Sequence, residues 1–302
     1  MSAEQPEVKQ EPAVEPRHHR FIEIGAFRAH MQRRARLLPR AVPPSMRNPL
    51  PHSATLQKWC PPAYNQEYLG SCTANAIAHT ILITSSGATW PPPFEPSRMF
   101  IYWNELVKMG QTPPLEDTGA DAADGCEIIN RLGVCSEEKM PYIVDPATHE
   151  VLSFNMPPSP EAIAEAAQHC YPMFSNLTNN GPLLHSIKRA IVSRMPVMLA
   201  FEVFPSFESK EVEDTGLMPM PSTDDFMHGV VGGHEVVVVG YQPGSLICLN
   251  SWGPRWGRGG AFLMPAAYLT GQYGGWPFVQ QILTLQPIHA PVQDESPEEP
   301  KK

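Results

Sequence analysis

The sequence predicts an α+β fold: a helical N-terminal lobe, a C-terminal lobe built of strands, and a cleft between the two. Three observations carry this. The first half of the 302 residues reads as helices with start and stop signals, the second half is dominated by β-branched runs, and the pattern changes once, without an internal repeat.

Each element follows from local chemistry. Residues 1–16, rich in Glu, Pro and Gln, read as disordered, as does the acidic tail 289–302. Between them, residues 17–40 hold seven arginines. Phe21, Ile24, Phe27 and Met31 recur there at roughly helical spacing, so a short amphipathic helix is expected. The run after Cys72 reads as a helix with Gly87 as its stop. A second helix follows Pro96 with Ser97 as its cap, and a third runs from Cys126 to Gly133. Strands are expected in VMLAFEV after Pro196, in HEVVVVGY from His234, in LICLNSW from Leu246 and in FVQQILTLQ near the end. One helix intrudes, LLHSIKRAIVSRM, opened by Pro182 and closed by Pro196.

Composition narrows the function classes. The 42% apolar content is that of a globular protein, whereas 35 prolines imply extended loops and few long helices. A net charge of −9, with no basic face outside residues 17–40, gives no reason to expect nucleic acid. No run of 18 apolar residues exists, so no membrane span is expected. The polar, acidic start lacks the apolar centre of a signal peptide and points to an intracellular, cytoplasmic protein. Six cysteines form no CxxC pair and no Cys/His cluster at zinc spacing.

The chemistry begins at NQEYLGSCTANAIAHTI, where Cys72 stands at a helix start instead of inside an apolar run. Free N–H groups and the helix dipole favour a thiolate at such a position. A nucleophilic thiol needs a base, and the base needs an orienting partner. Of eleven histidines, His234 stands out, because it follows a glycine pair in VVGGHEVVVVGY and heads a strand. Small residues there leave room for something to approach its ring. Sixteen residues later LICLNSWGPRWGRGG brings Asn250 off a strand end, with Trp252 two places on. A lone histidine at a strand start is ordinarily structural, and the combination with Cys72 and Asn250 is what singles this one out.

Together the three segments resemble the papain-like cysteine peptidases, the C1 family. Gln66 stands six residues before Cys72, Gly70-Ser71-Cys72 matches the GSC core, and Gly233-His234-Glu235-Val236 matches the GHAV-type strand. Asn250, Ser251, Trp252, Gly253, Trp256, Gly257 and Gly260 match the NSWG-x-x-WG-x-x-G loop. The resemblance implies a papain-like two-lobe fold with a β-barrel-like second lobe over residues 45–288. It implies a cysteine-type peptidase that acts on a peptide or protein substrate as a monomer, with neither a metal nor an organic cofactor. It also assigns roles: Cys72 as nucleophile, His234 as base and acid, Asn250 as orienter shielded by Trp252, and Gln66 as oxyanion donor. A catalytically silent peptide-binding protein and an acyl transferase are the rival readings.

Departures from the family pattern carry expectations of their own. Leu69 stands where many members have a disulfide cysteine, and Thr73 replaces the tryptophan after the nucleophile. Glu235 replaces a small residue after the histidine; it should point to the opposite face from His234 and, if buried, be paired. The 162 residues from Cys72 to His234 exceed the spacing of roughly 130–150 and imply insertions near residues 91–93, 157–160 and 218–225. Less common members without a long propeptide share an SxxFxYxxE-like helix, matched by Ser97, Phe100, Tyr102 and Glu105. They also share a turn matched by Gly133, Cys135, Glu137, Pro141 and Tyr142. Residues 1–44 would be a basic N-terminal segment that either packs on the domain and restricts the cleft or stays a tail without effect.

Overall fold

The structure is a computed structural model and describes residues 21–25, 27–28, 49–86, 94–172, 174–177 and 182–285. Expectations for residues 1–16 and 289–302, Met31, Gly87 and residues 91–93 lie outside these.

Three helices build the first lobe: α1 (Cys72–Ser85), α2 (Arg98–Lys108) and α3 (Ala122–Arg131). Helix α1 is buried along most of its length, so it is the lobe's axis and not an amphipathic cover. The Ser97 side chain accepts from the Phe100 N–H at 2.9 Å and so caps α2 as expected. Helix α3 starts four residues earlier than its apolar pattern indicates, because Asp121 accepts from the Ala123 N–H and provides the cap. The shorter α4 (Pro160–Ala166) and then α5 (Leu183–Val192) follow, the latter entered at Pro182 as the sequence requires. Helices α6 (Lys210–Thr215) and α7 (Thr223–His228) decorate the second lobe; the latter carries a capping box between Ser222 and Asp225.

The second lobe is an antiparallel sheet. Its strands are β1 (Ala54–Thr55), β2 (Phe174–Asn176), β3 (Val197–Val203), β4 (Gly232–Gln242), β5 (Ser245–Leu249), β6 (Ala261–Pro265) and β9 (Val279–Leu285). They follow the order β2-β9-β3-β4-β5-β6, with β1 added to β4. A separate hairpin joins β7 (Gln272–Tyr273) to β8 (Trp276–Pro277). Strands β3 and β4 are buried on both faces, which is why they read as continuous apolar runs without alternation. One side of the sheet packs on α1, and the other holds Phe201, Phe207, Phe262 and Trp256 in edge-on and tilted ring contacts. Each such buried ring contributes about 1.5–3 kcal/mol. No helix among the described residues is long and apolar enough to cross a membrane.

A short strap from the N-terminus lies across the junction of the lobes. Ile22 pairs with Gly233 of β4, and a helical turn holds Ile24, Gly25, Phe27 and Arg28. Ile22 and Phe27 are buried and form a small apolar cluster with Cys72 and Ala200.

Candidate active site

Cys72 is the first residue of α1, reached through a tight turn. A Cβ at Gly70 would lie 2.9 Å from Asp117 Oδ1 and 3.3 Å from the Gly119 backbone, so the turn admits only glycine without displacement. The same Asp117 carboxylate accepts from the Gly70 N–H. Ser71 is held by the Tyr142 hydroxyl at 2.9 Å, and that hydroxyl also donates to the Gln66 carbonyl at 2.8 Å. The motif containing Glu137 and Tyr142 is thus a brace beneath the nucleophile turn. Glu137 accepts from the Tyr142 N–H and binds Arg98, whose guanidinium lies 4.3 Å from the ring centres of both Tyr64 and Tyr142.

His234 lies on β4 opposite Phe201 of β3. Its Nε2 is 2.8 Å from Asn250 Oδ1, which fixes that nitrogen as the donor. Trp252 covers the pair, with ring centres 5.1 Å apart and planes inclined by 32°. Asn250 Oδ1 also accepts from the Ser251 N–H, and Ser251 Oγ donates to Gln66 Oε1 at 2.6 Å. Gln66 Nε2 donates to the Leu69 carbonyl at 2.9 Å. Backbone bonds zip residues 64–66 to 251–253, from Gln66 N–H to the Ser251 carbonyl and from Gly253 N–H to the Tyr64 carbonyl, both 2.8 Å. Gln66, Asn250 and His234 therefore belong to one hydrogen-bonded chain. Ser251 is its hidden link, visible in sequence only as a motif letter.

Cys72 reaches this chain from the other lobe. It packs on Ala200, the register partner of Glu235, and the Glu235 backbone N–H bonds its sulfur. Burial is complete and pushes the thiol well up. The Glu235 N–H opposes this, and the Glu235 and Glu105 carboxyls reinforce it. Burial thus opposes the thiolate that the helix start favours.

Strap contacts explain the glycine pair before His234. A Cβ at Gly233 would sit 2.2 Å from the Phe27 ring, and one at Gly232 would sit 2.5 Å from Phe21. The Phe21 ring lies 5.8 Å from His234 and 5.9 Å from Trp252. At the far end Arg28 Nε donates to Glu202 Oε1 at 2.7 Å, while the guanidinium lies 5.0 Å from the Trp276 ring centre.

One expectation is corrected. Glu235 does lie on the opposite face from His234 and is buried, but its Oε1 accepts no hydrogen bond among the described residues. Its neighbours are carboxyls, Asp121 and Glu105, and burial followed by their charge raises it well above the usual carboxylate range. Thr73, in place of an aromatic residue, donates to Glu105 Oε2 at 2.9 Å and anchors that second carboxyl beside the nucleophile turn. No group of three or more His, Cys, Asp or Glu side chains among the described residues could hold a metal ion.

No family model matches the chain. It is, however, 36% identical over 212 residues to an uncharacterised peptidase C1-like protein of Acanthamoeba polyphaga mimivirus; the match spans 68% of this chain and 64% of the viral protein. The crystal structure of xylellain, a cysteine protease from Xylella fastidiosa, superposes with a TM-score of 0.67 at 26% identity over 83% of this chain and 97% of xylellain. Sequence and fold are both similar to papain-like cysteine peptidases, and the chain spans just under two thirds of the viral relative's length. Digestive procathepsin L 3 of Tenebrio molitor larval midgut, at 18% identity and a TM-score of 0.57 over 86% of this chain and 78% of its own, shares the fold. The papain-like architecture accounts for the α+β order and for a site at the meeting of α1 and the sheet.

Proposed function

We propose that this chain is a cysteine-type peptidase that hydrolyses peptide bonds through a thioester on Cys72. His234 takes the thiol proton as the sulfur attacks the scissile carbonyl, then gives it to the departing amine. Water, deprotonated by His234, attacks the thioester and releases the acid, and the proton returns to the thiol. Asn250 keeps the imidazole oriented through the 2.8 Å bond to Nε2, and Trp252 shields that bond from water. Gln66 Nε2 and the Cys72 backbone N–H are the donors for the developing oxyanion.

The observation that carries the reading is the chain Gln66–Ser251–Asn250–His234, which ties oxyanion donor and base into one rigid unit facing the helix that starts at Cys72. It is supported by a relative named peptidase C1-like and by a neighbouring fold that is a cysteine protease.

The same proposal assigns residues 1–44 an inhibitory role. A substrate carbonyl cannot reach a fully buried sulfur, and the strap supplies the apolar cover. The test is a fluorogenic peptide assay on the full chain and on one that starts at Ala41, each with and without an added amine. Turnover that rises in the shorter chain supports the reading. Absence of turnover in both would make the cleft a peptide-binding site, and amine adducts would make the enzyme a transferase.

A further inference from the structure

The fold assembles a small basic face that the linear sequence does not show as a run. Residues 49–66 and 182–201 hold no Asp or Glu, yet they carry Lys58, Lys188, Arg189 and Arg194 in a chain of net charge −9. Trp59 is the centre of this face. The Lys58 ammonium lies 4.2 Å from its ring centre and the Arg194 guanidinium 5.0 Å. Lys188 lies 5.0 Å from the ring centre of Tyr241, whose strand partner Ala54 is close before Lys58 in the chain. Lys58 and Arg194 are exposed and Trp59 is half-buried. No carboxylate among the described residues pairs with Lys58, Lys188 or Arg194; aromatic rings are their neighbours instead.

Arg194 is held there at a conformational cost. It follows the C-cap of α5 with a φ of 59°, in the left-handed region where glycine or asparagine would close the helix without strain. Its side chain brings a second positive charge to an indole that Lys58 already faces, and like charges at one ring repel. An anion beside the ring would offset both.

The chain leads an anion of its own to this place. The described residues end at Leu285, and residues 286–302 contain Asp294, Glu295, Glu298 and Glu299. Strand β9 runs out beside the basic face, where Thr284 Oγ1 donates to the Pro196 carbonyl at 2.9 Å, two residues from Arg194. Val197 pairs with Thr284 on one side and Val238 on the other, and β4 then continues to Tyr241 opposite Ala54. One end of the sheet therefore gathers Leu285, Arg194 and Trp59. A flexible segment as long as residues 286–294 spans about 15–18 Å on average, enough to reach the face. The tether keeps its carboxylates at an effective concentration on the order of mM. A separate polyanion would have to approach a molecule of net charge −9.

We propose that the face formed by Lys58, Trp59, Lys188 and Arg194 docks the acidic residues Asp294, Glu295, Glu298 and Glu299 of the same chain. The contact clasps the exit of β9 to the entrance of β3 and weakens as salt rises. Nothing in it depends on Cys72.

The experiment is zero-length carbodiimide cross-linking of the full chain at low and high salt, with the linked peptides identified by mass spectrometry. Lys108 and Glu127, 2.7 Å apart, are the internal standard. At low salt, links from Lys58 or Lys188 to residues 294–299 are expected to exceed those from the exposed Lys139 by about fivefold or more. They should fade at high salt. A mixture of isotope-labelled and unlabelled chains should show them within one molecule. Arg194→Gln keeps both reacting groups and should lower the yield by about two- to fivefold, the range of one exposed ion pair. A Lys108–Glu127 link without any link from residues 294–299 to Lys58 or Lys188 would overturn the clasp. So would links no more frequent there than at Lys139, links only between labelled and unlabelled chains, or an unchanged yield in Arg194→Gln.

Discussion

Ile22 and Gly233 exchange two backbone hydrogen bonds, 3.1 Å from the Ile22 N–H and 2.9 Å from the Gly233 N–H. The strap is thereby registered on β4 one residue before His234, and Phe27 fills the space that Gly233 leaves by lacking a side chain. Truncating Phe27 to Ala removes one of the strap's two buried side chains in the cluster with Cys72 and should open the cleft. Iodoacetamide labelling of Cys72 in the full chain is then expected to accelerate about tenfold or more, since losing a buried Phe costs on the order of 3–5 kcal/mol. In the unmodified chain the exposed Cys170 should label before the buried Cys72. Fast labelling of Cys72 there would mean that the strap does not cover the thiol in solution.

The strap's second anchor is ionic. Arg28 meets Glu202, whose burial raises its pKa despite the partner's opposing effect. Glu202→Gln weakens this contact and should raise peptide turnover in the full chain by a few-fold, as should high salt, because a partly exposed guanidinium is screened. In a chain that starts at Ala41 neither change should matter. An equal salt effect in the two chains would remove the ion pair from the account.

Much of this was legible in the sequence, and what was not has physical reasons. Cys72, His234, Asn250 and Gln66 could be named because each carries a distinctive functional group within a spaced motif. Ser97 marked its helix through a side-chain cap, and Pro182 marked α5 through the backbone angle that it fixes at a helix entrance; both act locally. By contrast, β2 and β6 are short strands whose pairing with β9 and β5 is decided by partners distant in sequence. Ile22 falls off the apolar face formed by Phe21, Ile24 and Phe27, since it is extended and pairs as a strand residue. The isolation of Glu235 was invisible because its neighbours, Asp121 and Glu105, come from distant helices. Alternation along one strand gave its direction but not its company.

Ser251 is a positioning residue. Ser251→Ala removes the 2.6 Å donor to Gln66 Oε1, which leaves the amide free to turn away from the oxyanion. A fall in kcat of roughly tenfold is expected from lost orientation, with little change in KM. Gln66→Ala, which removes the donor itself, should cost about 10²–10³ in kcat. If Ser251→Ala instead raises KM alone, its role lies in binding and not in the oxyanion site.

Glu235 also sets a pH dependence of stability. Its folded pKa is raised above the ordinary 4.5 by burial and then by Asp121 and Glu105. The wild type is therefore at its best relative to Glu235→Gln below pH 4.5, and it loses ground as pH rises through the folded pKa. Thermal melts should find the glutamine variant more stable at pH 8 and the difference shrinking towards pH 4. A variant less stable at pH 8 would show that the carboxylate is compensated in the fold.

The most direct test of the account is peptide hydrolysis by three full-length proteins in parallel, the unmodified chain, Phe27→Ala and Cys72→Ala, each checked for a cooperative melt. The account predicts slow turnover in the first, faster turnover in the second and none in the third. Turnover that survives in Cys72→Ala, or a folded Phe27→Ala protein that labels readily at Cys72 yet cleaves no peptide, would contradict it.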